Sequence, residues 1–188
     1  NIVEDAVVEG AETVTYSIDA DGSMGNSYTI ATASQETVTI DDNDDAIVRV
    51  VAVDGTEASG GGGFTVSLEN GKTTQATITV NITIANITSE DVDHNLAGTN
   101  TVEIPAGGSS VFLGLGIVQD DIVEGSESLS LTVETGGGYA VSGTLASANA
   151  SIADDDLAVI RVFADEGADE NGSQGIFLFQ LEDNKTTE

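Results

Sequence analysis

The chain carries its own sequence twice. The segment "IVEDAVVEGAETVTYSI" (Ile2 to Ile18) lies without a gap on "IVQDDIVEGSESLSLTV" (Ile117 to Val133), 115 positions further on. In the same way "IDDNDDAIVRV" (Ile40 to Val50) lies on "IADDDLAVIRV" (Ile152 to Val162), 112 positions on, and "GGGFTVSLENGKTT" (Gly61 to Thr74) on "QGIFLFQLEDNKTT" (Gln174 to Thr187), 113 positions on. Offsets that agree this closely define a single unit used in tandem, and each unit must bury its own core and hand the chain to the next. Residues 1–45 are then the back part of one unit, 46–156 a complete unit, and 157–188 the front part of a third. The two partial units together lack the middle of a unit, so a slice from a longer array is expected.

Within the complete unit, turn residues separate seven candidate strands, near 46–53, 63–68, 76–84, 100–104, 109–118, 127–134 and 147–152. Strands at this spacing predict an antiparallel β-sandwich of immunoglobulin-like type, all-β in class. Apolar residues alternate at Phe64, Val66 and Leu68, at Ile78, Val80, Ile82 and Ile84, and at Leu129, Leu131 and Val133. These faces are expected to line the core while the intervening Thr and Ser meet water. Aromatics are only 4% of the chain and Trp is absent, so the core must be built from Val, Ile, Leu and Ala. The single proline, in "IPAGG" (104–108), belongs to a tight turn.

Charge narrows the partners. There are 33 acidic residues against 4 basic ones, a formal net charge of −29. Such a surface repels nucleic acid and anionic lipid and attracts divalent cations, so neither nucleic-acid binding nor membrane insertion is expected. Cysteine is absent and histidine occurs once, at His94, which removes disulfides, thiolate chemistry, catalytic triads and histidine-rich metal sites. As a lone loop residue His94 is expected to be solvated. No catalytic constellation emerges, and no enzymatic activity is expected.

The acids are not spread evenly. "QDDIVEGSE" (119–127) lies between the fifth and sixth strands and Asp154-Asp155-Asp156 follows the seventh. In a seven-stranded sandwich these two segments can share one end. Asp120, Asp121, Glu124 and Glu127 would then meet the Asp triplet. So many oxygens of one sign call for a hard cation, and Ca²⁺ with six to eight oxygen ligands fits better than Mg²⁺. The competing reading is a solvated acidic surface.

Two other motifs fail on inspection. "NGKTT" (70–74) ends like a phosphate-binding loop, but Val66 occupies the required glycine position and a strand follows where a helix should, so a hairpin turn is expected. Asp41, Asn43 and Asp45 open like an EF-hand loop, but Ala46 replaces the needed glycine and Ala52 the final glutamate.

An acidic "DD-x-x-E-x-x-E" before an alternating strand, a unit closing on "DDD" and "IPAG" ahead of the fifth strand together resemble the Calx-beta domain. That family is named from sodium/calcium exchangers and also occurs in integrin β4 and in large repetitive bacterial (RTX-type) adhesins. The resemblance implies that Ca²⁺ is held at one end of the sandwich by Asp120, Glu124, Glu127, Asp154, Asp155 and Asp156. It further implies an early glutamate at Glu57, repeated as Glu170 in the next unit, and an aspartate before "IPAG" at Asp93, with Asp91 as second choice. The first unit repeats the set as Asp5, Glu9, Glu12, Asp42, Asn43 and Asp44, with Ala6 in place of the second aspartate. Gln119 stands where calcium-rich members carry another acid, which implies fewer ions per site.

The expected function is a calcium-binding structural extender of a secreted bacterial adhesin, located outside the cell or on its surface. Neighbouring units of the same chain are the expected partners, with cell-surface or matrix contacts made by other domains. The alternatives are a regulatory Ca²⁺ sensor and a module that binds an adhesion ligand directly.

Overall fold

The computed structural model describes residues 2–18, 30, 34–88, 93–172, 174–182 and 186–187. The first part holds β1 (Val7–Val8) and a hairpin of β2 (Glu12–Ser17) and β3 (Gln35–Ile40). The middle part begins with β4 (Ile47–Val53), β5 (Gly55–Thr56), β6 (Gly63–Leu68), β7 (Thr73–Thr74), β8 (Ile78–Asn86) and β9 (Thr101–Ile104). It continues with β10 (Ser110–Gly114), β11 (Ile122–Val123), β12 (Glu127–Val133), β13 (Ala140–Val141) and β14 (Ser147–Ala153). The last part holds β15 (Ile160–Glu166), β16 (Ile176–Leu181) and β17 (Thr186–Thr187). A 3-10 turn spans Glu69–Gly71, and no α-helix occurs among the described residues.

The middle part is the sandwich that the alternation predicts, with nine strands in its two sheets among the described residues rather than seven. Its short edge strands β13 and β5 pair in parallel with β4 and β14, where the sequence predicts an antiparallel arrangement. One sheet runs β10-β6-β4-β13 and the other β5-β14-β12-β8-β9. Val48 and Val50 of β4 and Phe64, Val66 and Leu68 of β6 face Val80 and Ile82 of β8, Leu129 and Leu131 of β12, and Ile152 of β14; all are buried. Removing such side chains from water stabilises the fold by roughly 1.5–3 kcal/mol each. The core contains one aromatic ring, Phe64, so its tightness rests on branched aliphatics interlocking across the sheets.

Four local expectations need correction. The fifth strand ends at Gly114 rather than 118. Beyond it Leu115 N–H donates to Gly62 O (3.1 Å), Gly116 N–H to the Asn95 side chain (2.9 Å) and Val118 N–H to Asp93 O (3.0 Å). Neighbouring loops therefore take over the hydrogen bonds that a sheet partner would have made. Ser67, expected at the surface, is buried because the Arg49 side chain lies over it and donates to its hydroxyl at 3.2 Å. Ile84, expected in the core, is only half-buried, near the end of β8. His94 is 4% exposed rather than solvated: its Nδ1 accepts the Leu96 N–H (3.1 Å) and its Nε2 meets Asn86 Oδ1 (3.0 Å).

The flanking hairpins reproduce the registers of the middle part. Glu12 pairs with Ile40 as Glu127 pairs with Ile152, and Ile160 pairs with Leu181 as Val48 pairs with Leu68. Val14, Tyr16 and Val38 of the first hairpin, and Val162, Phe177 and Phe179 of the last, are exposed.

Candidate metal centre

Three loops and the chain's exit meet at one end of the sandwich. The exit forms the frame. Asp154 Oδ2 accepts the backbone N–H of Glu124 (2.9 Å) and of Gly125 (3.1 Å), while its Oδ1 accepts the N–H of Asp156 (2.7 Å). Asp120 folds its own loop in the same manner, accepting the Ile122 N–H at 2.8 Å. These two carboxylates spend oxygen atoms on the backbone and thereby fix the course of the loop and of the exit.

Glu57 comes from the turn between β5 and β6. Glycine makes that turn possible: Gly62 has φ +75, and a Cβ there would lie 2.8 Å from the Gly55 nitrogen. Thr56 and Gly60 close the turn with reciprocal backbone hydrogen bonds. Glu57 N–H donates to Ala153 O at 3.0 Å, and Asp54 accepts the Ser151 N–H at 2.8 Å, so the chain leading into the glutamate is pinned to β14. Glu57 ends up 8% exposed, and its Oε2 is buried without a hydrogen-bond partner. Burial, and then the negative charges of Asp154, Glu124, Asp120 and Asp155, push its carboxyl up to about 7.

The carboxylates form two groups. Glu57, Asp120 and Asp156 each offer an oxygen within 4.8 Å of the others, as do Asp93, Glu124 and Glu127. That spacing suits one ion per group, because oxygens on opposite sides of a Ca²⁺ with bonds of about 2.4 Å are about 4.8 Å apart. An all-oxygen donor set without histidine or thiolate selects a hard cation over zinc or copper. Glu127 is 5% exposed and Asp93 7%. A carboxylate buried among others of like sign favours a cation or a proton. The residues fit calcium.

The sixteen sequence candidates divide clearly. Glu57, Asp93, Asp120, Glu124, Glu127 and Asp156 form the two groups. Asp154 is the frame. Asp155 is exposed, accepts a hydrogen bond from Gln119 Nε2 at 3.0 Å and adds to the field at Glu57. Asp121 is exposed and belongs to neither group, because the turn that Asp120 closes points the next side chain outward. Glu170 is exposed and joins no group among the described residues. Asp91 lies outside the described residues.

In the first part Asp5, Glu9, Glu12, Asp42, Asn43 and Asp44 line one cavity of about 140 Å³, together with Glu4 and Asp41. The frame recurs there. Asp42 accepts the N–H of Glu9 (2.7 Å) and of Asp44 (2.9 Å), and Asp5 accepts that of Val7 (2.9 Å). The backbone donors, that of Glu9 foremost, hold the Asp42 carboxyl below its usual value. Partial burial, followed by Asp5, Glu12, Asp42 and Asp44, raises that of Glu9. Glu12 is exposed, unlike Glu127: among the described residues its hairpin is a two-stranded sheet, whereas Glu127 lies on the five-stranded sheet of the closed sandwich. The Asn43 side chain donates to Glu4 at 2.9 Å.

Sequence reasoning missed Glu4, Asp41 and the bracing role of Asp54. Each is one more acid in an acidic chain, and no local signal sets it apart.

The profile of the Calx-beta domain matches residues 1–44 and 41–156. No curated protein matches. Among solved structures, "Crystal structure of calcium binding domain CBD12 of CALX1.1" is 17% identical with a TM-score of 0.45, over 57% of this chain and 45% of that one. "Crystal structure of CBD12 from CALX1.2" is 14% identical with a TM-score of 0.46, over 74% of this chain and 72% of that one. "Crystal structure of Apo-form Calx CBD1 domain" is 17% identical with a TM-score of 0.43, over 58% and 98%. The chain thus spans less than half the length of the first of these.

Proposed function

The chain belongs to the Calx-beta domain family, and from that premise we propose that it is a calcium-binding extender segment of a secreted, repetitive bacterial adhesin. Calx-beta domains are not enzymes, and the role assigned here is mechanical. One observation carries the reading. The six grouped carboxylates gather where Asp154–Asp156 lead out of β14 toward β15, so the candidate site sits at the junction between one unit and the next.

The physics follows from charge. At an effective dielectric of about 20, two carboxylates about 4 Å apart repel by roughly 4 kcal/mol. Glu57, Asp120 and Asp156 must therefore spread or share a cation. Bound Ca²⁺ would supply the positive charge that lets them stay together. Asp156 would then be tied to the end of its own sandwich, and the short exit would lose its freedom. Successive units would hold a fixed angle, so the array would behave as a rod. Millimolar extracellular calcium suffices for sites of the weaker class found in extracellular modules. In this reading the partners are neighbouring units of the same chain, while other domains contact cell surface or matrix.

The test is small-angle X-ray scattering with calorimetric melting, in millimolar Ca²⁺ and in chelator at fixed ionic strength. Calcium is expected to raise the melting temperature and lengthen the particle, and Glu124→Ala to abolish much of both effects. If neither melting nor shape responds to calcium, the extender reading is wrong.

A further inference from the structure

The acidic loop of the first part does more than present carboxylates. Between its candidate ligands Asp5 and Glu9 lies β1, which pairs in parallel with β7, a strand beyond β6 in the following unit: Val7 with Thr73 and Val8 with Thr74. Thr73 N–H donates to Ala6 O (3.1 Å) and Gln75 N–H to Val8 O (2.9 Å). The residue between them faces the other way: Thr74 N–H donates to Gly108 O (3.1 Å) and Thr74 O accepts from Gly107 (2.6 Å), both within its own unit. This alternation is that of a strand bonded on both sides, one to its own domain and one to its neighbour.

The same arrangement recurs at the second junction. β11, between Asp120 and Glu124, pairs in parallel with β17, Ile122 with Thr186 and Val123 with Thr187. The strand edge belongs in both cases to the "NKTT" or "NGKTT" segment. At the first junction Lys72, one of only four basic residues, adds an ion pair to Asp44 (2.9 Å) and donates to Asp45 O (3.3 Å). Gln75 Nε2 reaches Glu9 at 3.2 Å.

We propose that the dipeptide inside each acidic loop is a docking strand for the edge strand of the following unit, joined by a two-residue parallel clasp. Resting on the calcium-extender reading, the proposal adds a coupling. The docking strand hangs between two carboxylates of the candidate site, so whatever orders that loop also presents the strand. The coupling is reciprocal, and loss of the clasp must weaken calcium binding in the loop that has lost its partner. The "NGKTT" turn, expected to close a hairpin, instead leads from β6 in one sheet to β8 in the other, and in this proposal it is the receptor for the preceding unit.

The test uses the cysteine-free chain with spin labels at Thr39→Cys in β3 and Asn149→Cys in β14, both exposed. Thr73→Pro deletes one donor of the clasp while sparing the bonds of Thr74 to its own unit. Gln75→Pro is a second, independent deletion. Both variants should keep the melting transition of the middle sandwich, lose the single narrow inter-label distance seen in calcium, and bind calcium at the first junction about five-fold more weakly or worse, the low end of ordinary coupling between sites. If both keep the parent's narrow distance, the clasp is refuted while the calcium response of the parent still stands. If the parent's distance ignores calcium yet both variants lose it, the clasp stands and the extender reading falls.

Discussion

Replacing Glu57 by glutamine removes one negative charge from the candidate site while leaving the side chain's size almost unchanged. Glu57 is buried, one oxygen has no hydrogen-bond partner, and its carboxyl is pushed up to about 7 from an ordinary 4.5. A carboxyl whose folded value lies above its unfolded value stabilises the fold when protonated. That contribution is complete below about pH 4.5 and lost as the pH rises through about 7. At about 1.36 kcal/mol per unit, the displacement corresponds to roughly 3 kcal/mol. Glu57 lies in a turn at the end of the sandwich rather than in its core, so water screens part of this and roughly 1–3 kcal/mol is the expected penalty at pH 8. In chelator at pH 8, Glu57→Gln should therefore melt higher than the parent, by roughly 4–12 °C for a domain of this size. At pH 4, where the parent is already neutral, the two should melt together. In calcium the order reverses, because a ligand has been weakened and the calcium-induced rise must shrink. Scanning calorimetry at both pH values, with calcium and with chelator, reads all four conditions. A variant that melts below the parent in chelator at pH 8, or keeps the parent's whole calcium-induced rise, refutes the reasoning.

Asp154→Ala should behave in the opposite way, because Asp154 holds three backbone N–H groups and frames the site. It should lose roughly 2–4 kcal/mol in chelator as well as in calcium, measured by denaturant titration. Asp121→Asn should leave stability within roughly 0.5 kcal/mol and the calcium-induced melting rise unchanged, since its side chain is exposed and belongs to neither carboxylate group. Tyr139→Phe is expected to cost about 1–2 kcal/mol equally with and without calcium. Its hydroxyl donates to Glu134 O (2.7 Å) and accepts the Asn81 N–H (2.9 Å), neither of them a candidate ligand. A calcium-dependent loss there would contradict the separation of core and site.

Local periodicity made much of the fold legible. A period of two places Phe64, Val66 and Leu68 on one face whatever the rest of the chain does, and these side chains are indeed buried. The repeat likewise shows in the hydrogen bonds, since Asp5, Glu9 and Asp42 carry the same frame as Asp120, Glu124 and Asp154. Where a strand ends is less legible. Val111, Leu113 and Ile117 continue the alternation past Gly114, but only the closed sandwich brings Gly62, Asn95 and Asp93 near enough to draw that segment out of the sheet.

Sequence by itself determined that the chain is built of alternating strands, that its acids concentrate in a loop and an exit, and that the pattern recurs. The first two properties are local, each depending on residues a few positions apart, and the recurrence is read by laying segments 112 to 115 positions apart on one another, with no contact between them required. Tertiary structure alone decided that Glu57 joins Asp120 and Asp156 while Asp121 does not, that His94 is buried, and that Thr73 and Thr74 of "NGKTT" pair with Val7 and Val8. Each of these outcomes joins segments tens of residues apart, whose meeting depends on how two sheets close and which loops they leave at the same end. An acidic side chain looks the same in sequence whether it ends in water or against another carboxylate, and only the closure of the sandwich separates the two.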